Sequence, residues 1–211
     1  TLVSLALCMF LIFFYFEREN RFISTFHMTS EPNVIVKGHY GQTLIVELSY
    51  SHNGLEQWIT QLTKPFPLFL VDAQWIERSQ PLVRLLIDKQ IPIGLLGKNN
   101  ENYEEDDLLT KELNIFKKAF DQQPLWFMTR DYNISTPLQR QLFTSKINML
   151  APSISFPSIE RDLEDGDIIS ILLHRETEIS FETIQQFQQQ HSFLSIEENL
   201  FGYSISTKRY P

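Results

Sequence analysis

From about Asn33 onward the chain alternates short apolar runs with amphipathic stretches. The runs at Thr43 to Leu48, Pro67 to Val71, Pro92 to Leu96, Leu125 to Met128, Ile147 to Leu150 and Ile168 to Leu173 predict strands, and Gly202 to Ile205 is a further candidate. Helical spacing of apolar side chains predicts helices at Gly54 to Thr63, Gln80 to Lys89, Asp106 to Phe120, Thr136 to Thr144 and Phe181 to Gln190. Near-continuous apolar strands, each followed by a helix, are what βα units of a parallel sheet require, because both faces of such a sheet are covered.

Local signals support several of these elements. Ser79 stands where it can cap a helix that has Pro81 in its first turn and Leu82, Val83, Leu85 and Leu86 on its apolar face. In the glutamine-rich stretch Phe181, Ile184 and Phe187 recur every three residues, so the glutamines read as the solvated face of a helix and not as a low-complexity tract. The acidic run Glu104, Glu105, Asp106 and Asp107 falls where a helix begins and meets the positive end of its dipole.

Residues Thr1 to Phe16 form an uncharged apolar run that ends at the polar stretch Glu17 to Arg21. Sixteen helical residues reach roughly 24 Å against a hydrocarbon core of about 30 Å. A membrane anchor, a cleavable signal peptide and a buried helix all fit this pattern. The bulky FLIFFYF end, which lacks the small residues of a signal-peptidase site, favours the anchor. The organisation expected is a membrane segment at 1–16, a linker at 17–32 and one α/β domain at 33–211.

The net charge of −8 lies entirely beyond that segment, which disfavours nucleic acid as a partner. The one cysteine, Cys8, sits within the segment, so the folded domain has neither a disulfide nor a thiolate nucleophile. The sequence has no phosphate-binding glycine loop, CxxC pair or GxSxG elbow.

In a parallel α/β domain the chemistry gathers beyond the C-terminal ends of the strands. There the chain places Ser49 to Asn53, Gly97 to Asn100, Thr129 to Tyr132, and His174 with Arg175. The closing stretch DGDIISILLHRE (Asp165 to Glu176) followed by FETIQQFQQQHSFLSIEENL (Phe181 to Leu200) resembles the last segment of polysaccharide deacetylases, the fourth carbohydrate esterase family. PLFLVDAQWIERSQPLVRLLIDKQIPIGLLG (Pro67 to Gly97) is similar to the same family's second strand, following helix and third strand. The likeness covers roughly Thr43 to Leu200 and implies a distorted (β/α) barrel.

The resemblance also implies a site that this sequence does not fill. Such enzymes hold Zn²⁺ on one carboxylate and two imidazoles, with a second aspartate as base and a late histidine as acid. The aspartate pair falls at about Leu48 and Ser49, and the metal histidines fall near Leu96 and Asn100. The arginine-proline motif falls at WFMTRDYN, with Arg130 and Asp131 out of register. His174 alone stands at a catalytic position.

The first reading is therefore a catalytically inactive deacetylase-like protein, tethered to the membrane on the outer side of a bacterial envelope, that binds or scaffolds cell-wall glycan and needs no metal or other cofactor. Tyr50, His52, Trp126, Arg130, Asp131, Tyr132 and His174 are its candidate groove residues. A second reading is an active esterase with its site relocated onto His174, His52 and Asp131. A third is an envelope assembly protein with a silent barrel mouth.

Overall fold

The computed structural model describes residues 29–104, 107–175 and 179–202. The membrane-segment expectation for Thr1 to Phe16 and the strand expected at Gly202 to Ile205 therefore lie outside the described residues, wholly or in all but Gly202. Among the described residues no helix is long and apolar enough to cross a membrane.

The strands are β1 (Val34–Ile35), β2 (Thr43–Leu48), β3 (Leu68–Asp72), β4 (Ile93–Gly97), β5 (Trp126–Thr129), β6 (Asn148–Leu150), β7 (Ile154–Phe156) and β8 (Ile168–Leu173). The helices are α1 (Leu55–Gln61), α2 (Ala73–Arg78), α3 (Gln80–Asp88), α4 (Leu108–Phe120), α5 (Thr136–Thr144), α6 (Phe181–Gln190) and α7 (Ile196–Phe201), with a 3₁₀ turn at Asn100–Glu104. All strand pairs are parallel, in the order β1-β6-β5-β4-β3-β2-β8-β7.

This order forces the sheet to curl. β6 and β7 are joined by only Ala151, Pro152 and Ser153, a connection that spans at most about 14 Å. In a flat sheet the six strand steps between them would separate the two by roughly 29 Å. The two edges must therefore approach each other, and the result is a parallel half-barrel whose strand ends all open at one mouth.

The curl divides the strand residues into two sets. Leu44, Val46, Leu48, Phe69, Val71 and Phe127 point outward and pack beneath the helices with Trp58, Trp75 and Phe116. Ile45, Leu68, Leu70, Leu96, Trp126 and Met128 point inward and fill the interior, where Ile196 of α7 joins them. Ser195 and Glu198 form a reciprocal capping box that starts α7, and buried Asn199 donates from Nδ2 to the carbonyls of Gly166 and Asp167. The end opposite the mouth is thus held by polar stitching. A cavity of about 580 Å³ opens at that end, lined by Lys64, Phe66, Gln90, Pro92 and Phe193 among others.

The glutamine helix behaves as its spacing predicts, with Ile184 and Phe187 buried. Ser79 does not. Its side chain makes no capping bond to α3 and instead lies 3.2 Å from the hydroxyl of Ser51. Asp107 precedes α4 without capping it and pairs with Lys111 at 2.7 Å.

Candidate functional site at the barrel mouth

Inward-facing residues near the C-terminal ends of β2, β3 and β8 change from apolar to polar, and these positions define the site. Glu47 on β2 is fully buried, although it lies within an otherwise apolar strand. Its Oε1 accepts from the Tyr132 hydroxyl at 2.7 Å and from the hydroxyl of Ser170 on β8. His174, at the end of β8, places Nδ1 2.8 Å from Glu47 Oε2, close enough for an ion pair but not aligned as a hydrogen bond. A buried carboxylate requires such partners, since its desolvation is costly without them. Burial, and then the charge of Glu47, push the Tyr132 phenol up, so Tyr132 stays a donor. The Tyr132 backbone sits at φ +59°, a left-handed conformation that L side chains adopt only at a cost.

A second cluster forms one strand away. Asp72 ends β3 and is also the N-cap of α2, where Oδ1 accepts the Trp75 N–H at 3.0 Å. Its Oδ2 receives both Lys98 Nζ and Arg130 Nη2, each at 2.8 Å. Asp72 is 1% exposed, whereas Lys98 and Arg130 keep 22% and 25% of their side-chain surface in solvent. The carboxylate thus lies beneath two cations that face the mouth.

Behind Lys98 lies a third polar group. The Lys98 backbone N–H donates to Tyr103 Oη at 2.9 Å, and that hydroxyl donates to Glu112 of α4 at 2.5 Å. Burial pushes Glu112 up from 4.5 to about 7, against the lowering effects of the Tyr103 bond and of Lys98. Its other oxygen, Oε1, is buried without a partner, as suits a carboxyl that takes up a proton near neutrality. Because the folded-state pKa is raised, the stability linked to this group is complete below about pH 4.5 and is lost as pH rises through 7. The parent chain should lose on the order of 3 kcal/mol across that window that a Glu112→Gln chain retains. Urea unfolding of both chains at about pH 5 and about pH 8 measures this. Parallel pH profiles would contradict the assignment.

The residues near which the resemblance places the zinc-site groups have other contacts in the structure. Leu48 is buried in the outer core and Leu96 in the inner core. The Ser49 hydroxyl donates to the His174 carbonyl at 3.2 Å. Asn100 is bound into the loops: its N–H donates to both Asp131 oxygens at 3.2 Å, and its Oδ1 accepts the Ser135 N–H at 2.8 Å. Two hydrocarbons, a hydroxyl and an amide do not make a zinc donor set. Among the described residues no three His, Cys, Asp or Glu side chains converge to hold a metal ion.

The expected groove residues are only partly brought together. Glu47 joins Tyr132 to His174, while Arg130 belongs to the neighbouring Asp72 cluster. Tyr50 is 39% exposed at the mouth, with the Arg78 guanidinium 5.8 Å above its ring. His52 lies beside Tyr50, ring centroids 6.3 Å apart, with Nε2 buried and unpartnered. Two expectations need correcting. Trp126 is the first residue of β5, so in a parallel sheet it lies far from the mouth, 2% exposed in the inner core. Asp131 does not turn toward His52 and His174, because its carboxylate is engaged by the backbone N–H groups of Asn100 and Asn133.

Glu47, Asp72, Lys98 and Ser170 are the site residues absent from the candidate groove set, Lys98 having a place only in the polar rim after β4. A charge or hydroxyl inside an apolar strand, as in TLIVEL, LFLVD and IISILL, is the signal that marks the first, second and fourth.

The architecture is the NodB-like fold of polysaccharide deacetylases. A CE4 family pseudoenzyme from Bacillus anthracis superposes with a TM-score of 0.63 at 14% identity, over 80% of this chain and 69% of that one. PdaA, a family 4 carbohydrate esterase of Bacillus subtilis, superposes at 0.62 and 14% identity over 81% and 86% of the two chains. The peptidoglycan deacetylase PdaC of Bacillus subtilis does so at 0.61 and 12% identity, over 80% and 91%. No protein-family model matches the sequence, and no curated protein does. At these identities the likeness is one of fold.

Proposed function

We propose that the chain is a non-hydrolysing relative of the NodB-fold deacetylases, tethered by its apolar N-terminal run on the outer side of a bacterial envelope, where its barrel mouth binds or scaffolds glycan. The observation that carries this reading is the occupancy of the zinc-ligand positions, with Leu96 in the inner core and Asn100 bound into the loops. The structural likeness to a CE4 pseudoenzyme and to a peptidoglycan deacetylase supports the choice of glycan as ligand. The tether rests on the uncharged run Thr1 to Phe16.

Co-sedimentation of the purified chain with cell-wall sacculi and envelope polysaccharide tests this, with acetate release assayed on the same samples. The expected result is saturable binding without acetate release. A hydrolytic reading draws on the Glu47–His174 pair, in which a buried carboxylate stands behind an imidazole. Turnover that disappears in His174→Ala would establish that reading in place of ours.

A further inference from the structure

Lys98 and Arg130 share a single carboxylate, Asp72, and both keep surface at the mouth while Asp72 is buried below them. Among the described residues the Arg130 guanidinium has one side-chain acceptor, Asp72 Oδ2, and its Nε is buried without a partner. Lys98 Nζ reaches Asp72 Oδ2 and, at 3.3 Å, Gln74 Oε1, which leaves one of its three ammonium donors. Among the described residues Asp72 alone forms an ion pair with either cation. Asp131 takes its hydrogen bonds from two backbone N–H groups and forms no ion pair with either cation, while Glu112 is held near its midpoint at neutral pH by burial and bonds Tyr103. An approaching ligand meets an ammonium and a guanidinium at this point of the mouth, in a protein whose net charge is −8.

We infer that the ligand of the mouth is a carboxylate-bearing saccharide, a uronate or similar sugar acid, whose carboxylate seats on Lys98 and Arg130; this rests on the glycan-binding reading. The two cations share one buried carboxylate, so the cluster keeps one uncompensated positive charge, which one ligand carboxylate matches. The acidic remainder of the protein opposes polyanions such as nucleic acid but tolerates a saccharide that carries isolated charges. Lys98 also follows Leu96 by two residues and precedes Asn100 by two, so it stands between the two positions where a deacetylase would place its metal histidines. The positive charge at this point of the mouth comes from the chain itself.

The test is titration calorimetry of the full chain with a xylo-oligosaccharide that carries a single glucuronate and with the same oligosaccharide after its carboxyl group has been reduced to the alcohol. The acidic form should bind and the reduced form should not, with affinity falling severalfold as salt is raised from low to physiological strength. Lys98→Met, which leaves Arg130 paired with Asp72, should weaken binding roughly tenfold. The salt dependence is read on the unaltered chain and needs no variant. Equal binding of both forms, indifferent to salt and to Lys98→Met, would overturn the inference and leave the glycan reading standing. Failure of the acidic form while the chain still sediments with sacculi would also overturn the inference alone; failure of both experiments removes the glycan reading as well.

Discussion

Asp72→Ala should lower the unfolding free energy by about 3 kcal/mol. Breaking a buried ion pair by removing one partner costs about 3–5 kcal/mol, because the remaining charge is stranded, and loss of an N-cap adds about 1 kcal/mol. The lower end applies because Lys98 and Arg130 keep enough solvent contact to recover part of their hydration. Asp72→Asn separates the two contributions. Asparagine caps a helix as well as aspartate does, so this variant should retain the Trp75 N–H bond at the start of α2 and lose only the charge interaction, about half of the total. Urea denaturation of the three chains measures the difference. A loss below about 0.5 kcal/mol for Asp72→Ala would show that the cluster does not hold the ends of β3, β4 and β5 together.

Glu47→Ala should cost a similar amount, about 3–4 kcal/mol, for a different reason. The substitution removes the acceptor of the Tyr132 and Ser170 hydroxyls and the partner of His174, leaving buried donors unmet at about 1–3 kcal/mol each, less than additively. It also frees Tyr132 from the contact that helps hold its backbone at φ +59°. Glu47→Gln retains an acceptor for the two hydroxyls and removes the charge beside His174, so it should be the milder change. The His174 ring resonances, recorded by NMR at one fixed pH, should move in Glu47→Gln and stay in place in a control variant distant from the mouth. No response would show that Glu47 and His174 do not interact.

The strands were legible because a parallel sheet covered on both faces leaves apolar runs in the sequence, and TLIVEL and IISILL match β2 and β8 residue for residue. β1 and β7 escaped notice because two or three residues carry too little pattern. α2 was hidden because Asp72 is at once the last residue of a strand and the cap of the next helix, with no loop between them. The mouth was legible in position more than in content. Tyr132, Arg130 and His174 were found because they follow strands, whereas Glu47 and Asp72 lie inside them and look like interruptions of a core. Trp126 was misplaced because it lies at the start of its strand, and in a parallel sheet only the other end faces the site.

The central claim is that the mouth, where the resemblance to polysaccharide deacetylases implies a zinc site, is here held together by protein charges. Zinc titration of the purified chain by calorimetry, with elemental analysis of the same sample, tests that claim most directly. The donor set at Leu48, Ser49, Leu96 and Asn100 predicts no stoichiometric zinc and no submicromolar affinity. One equivalent of zinc bound at submicromolar Kd, and lost in His174→Ala, would contradict it.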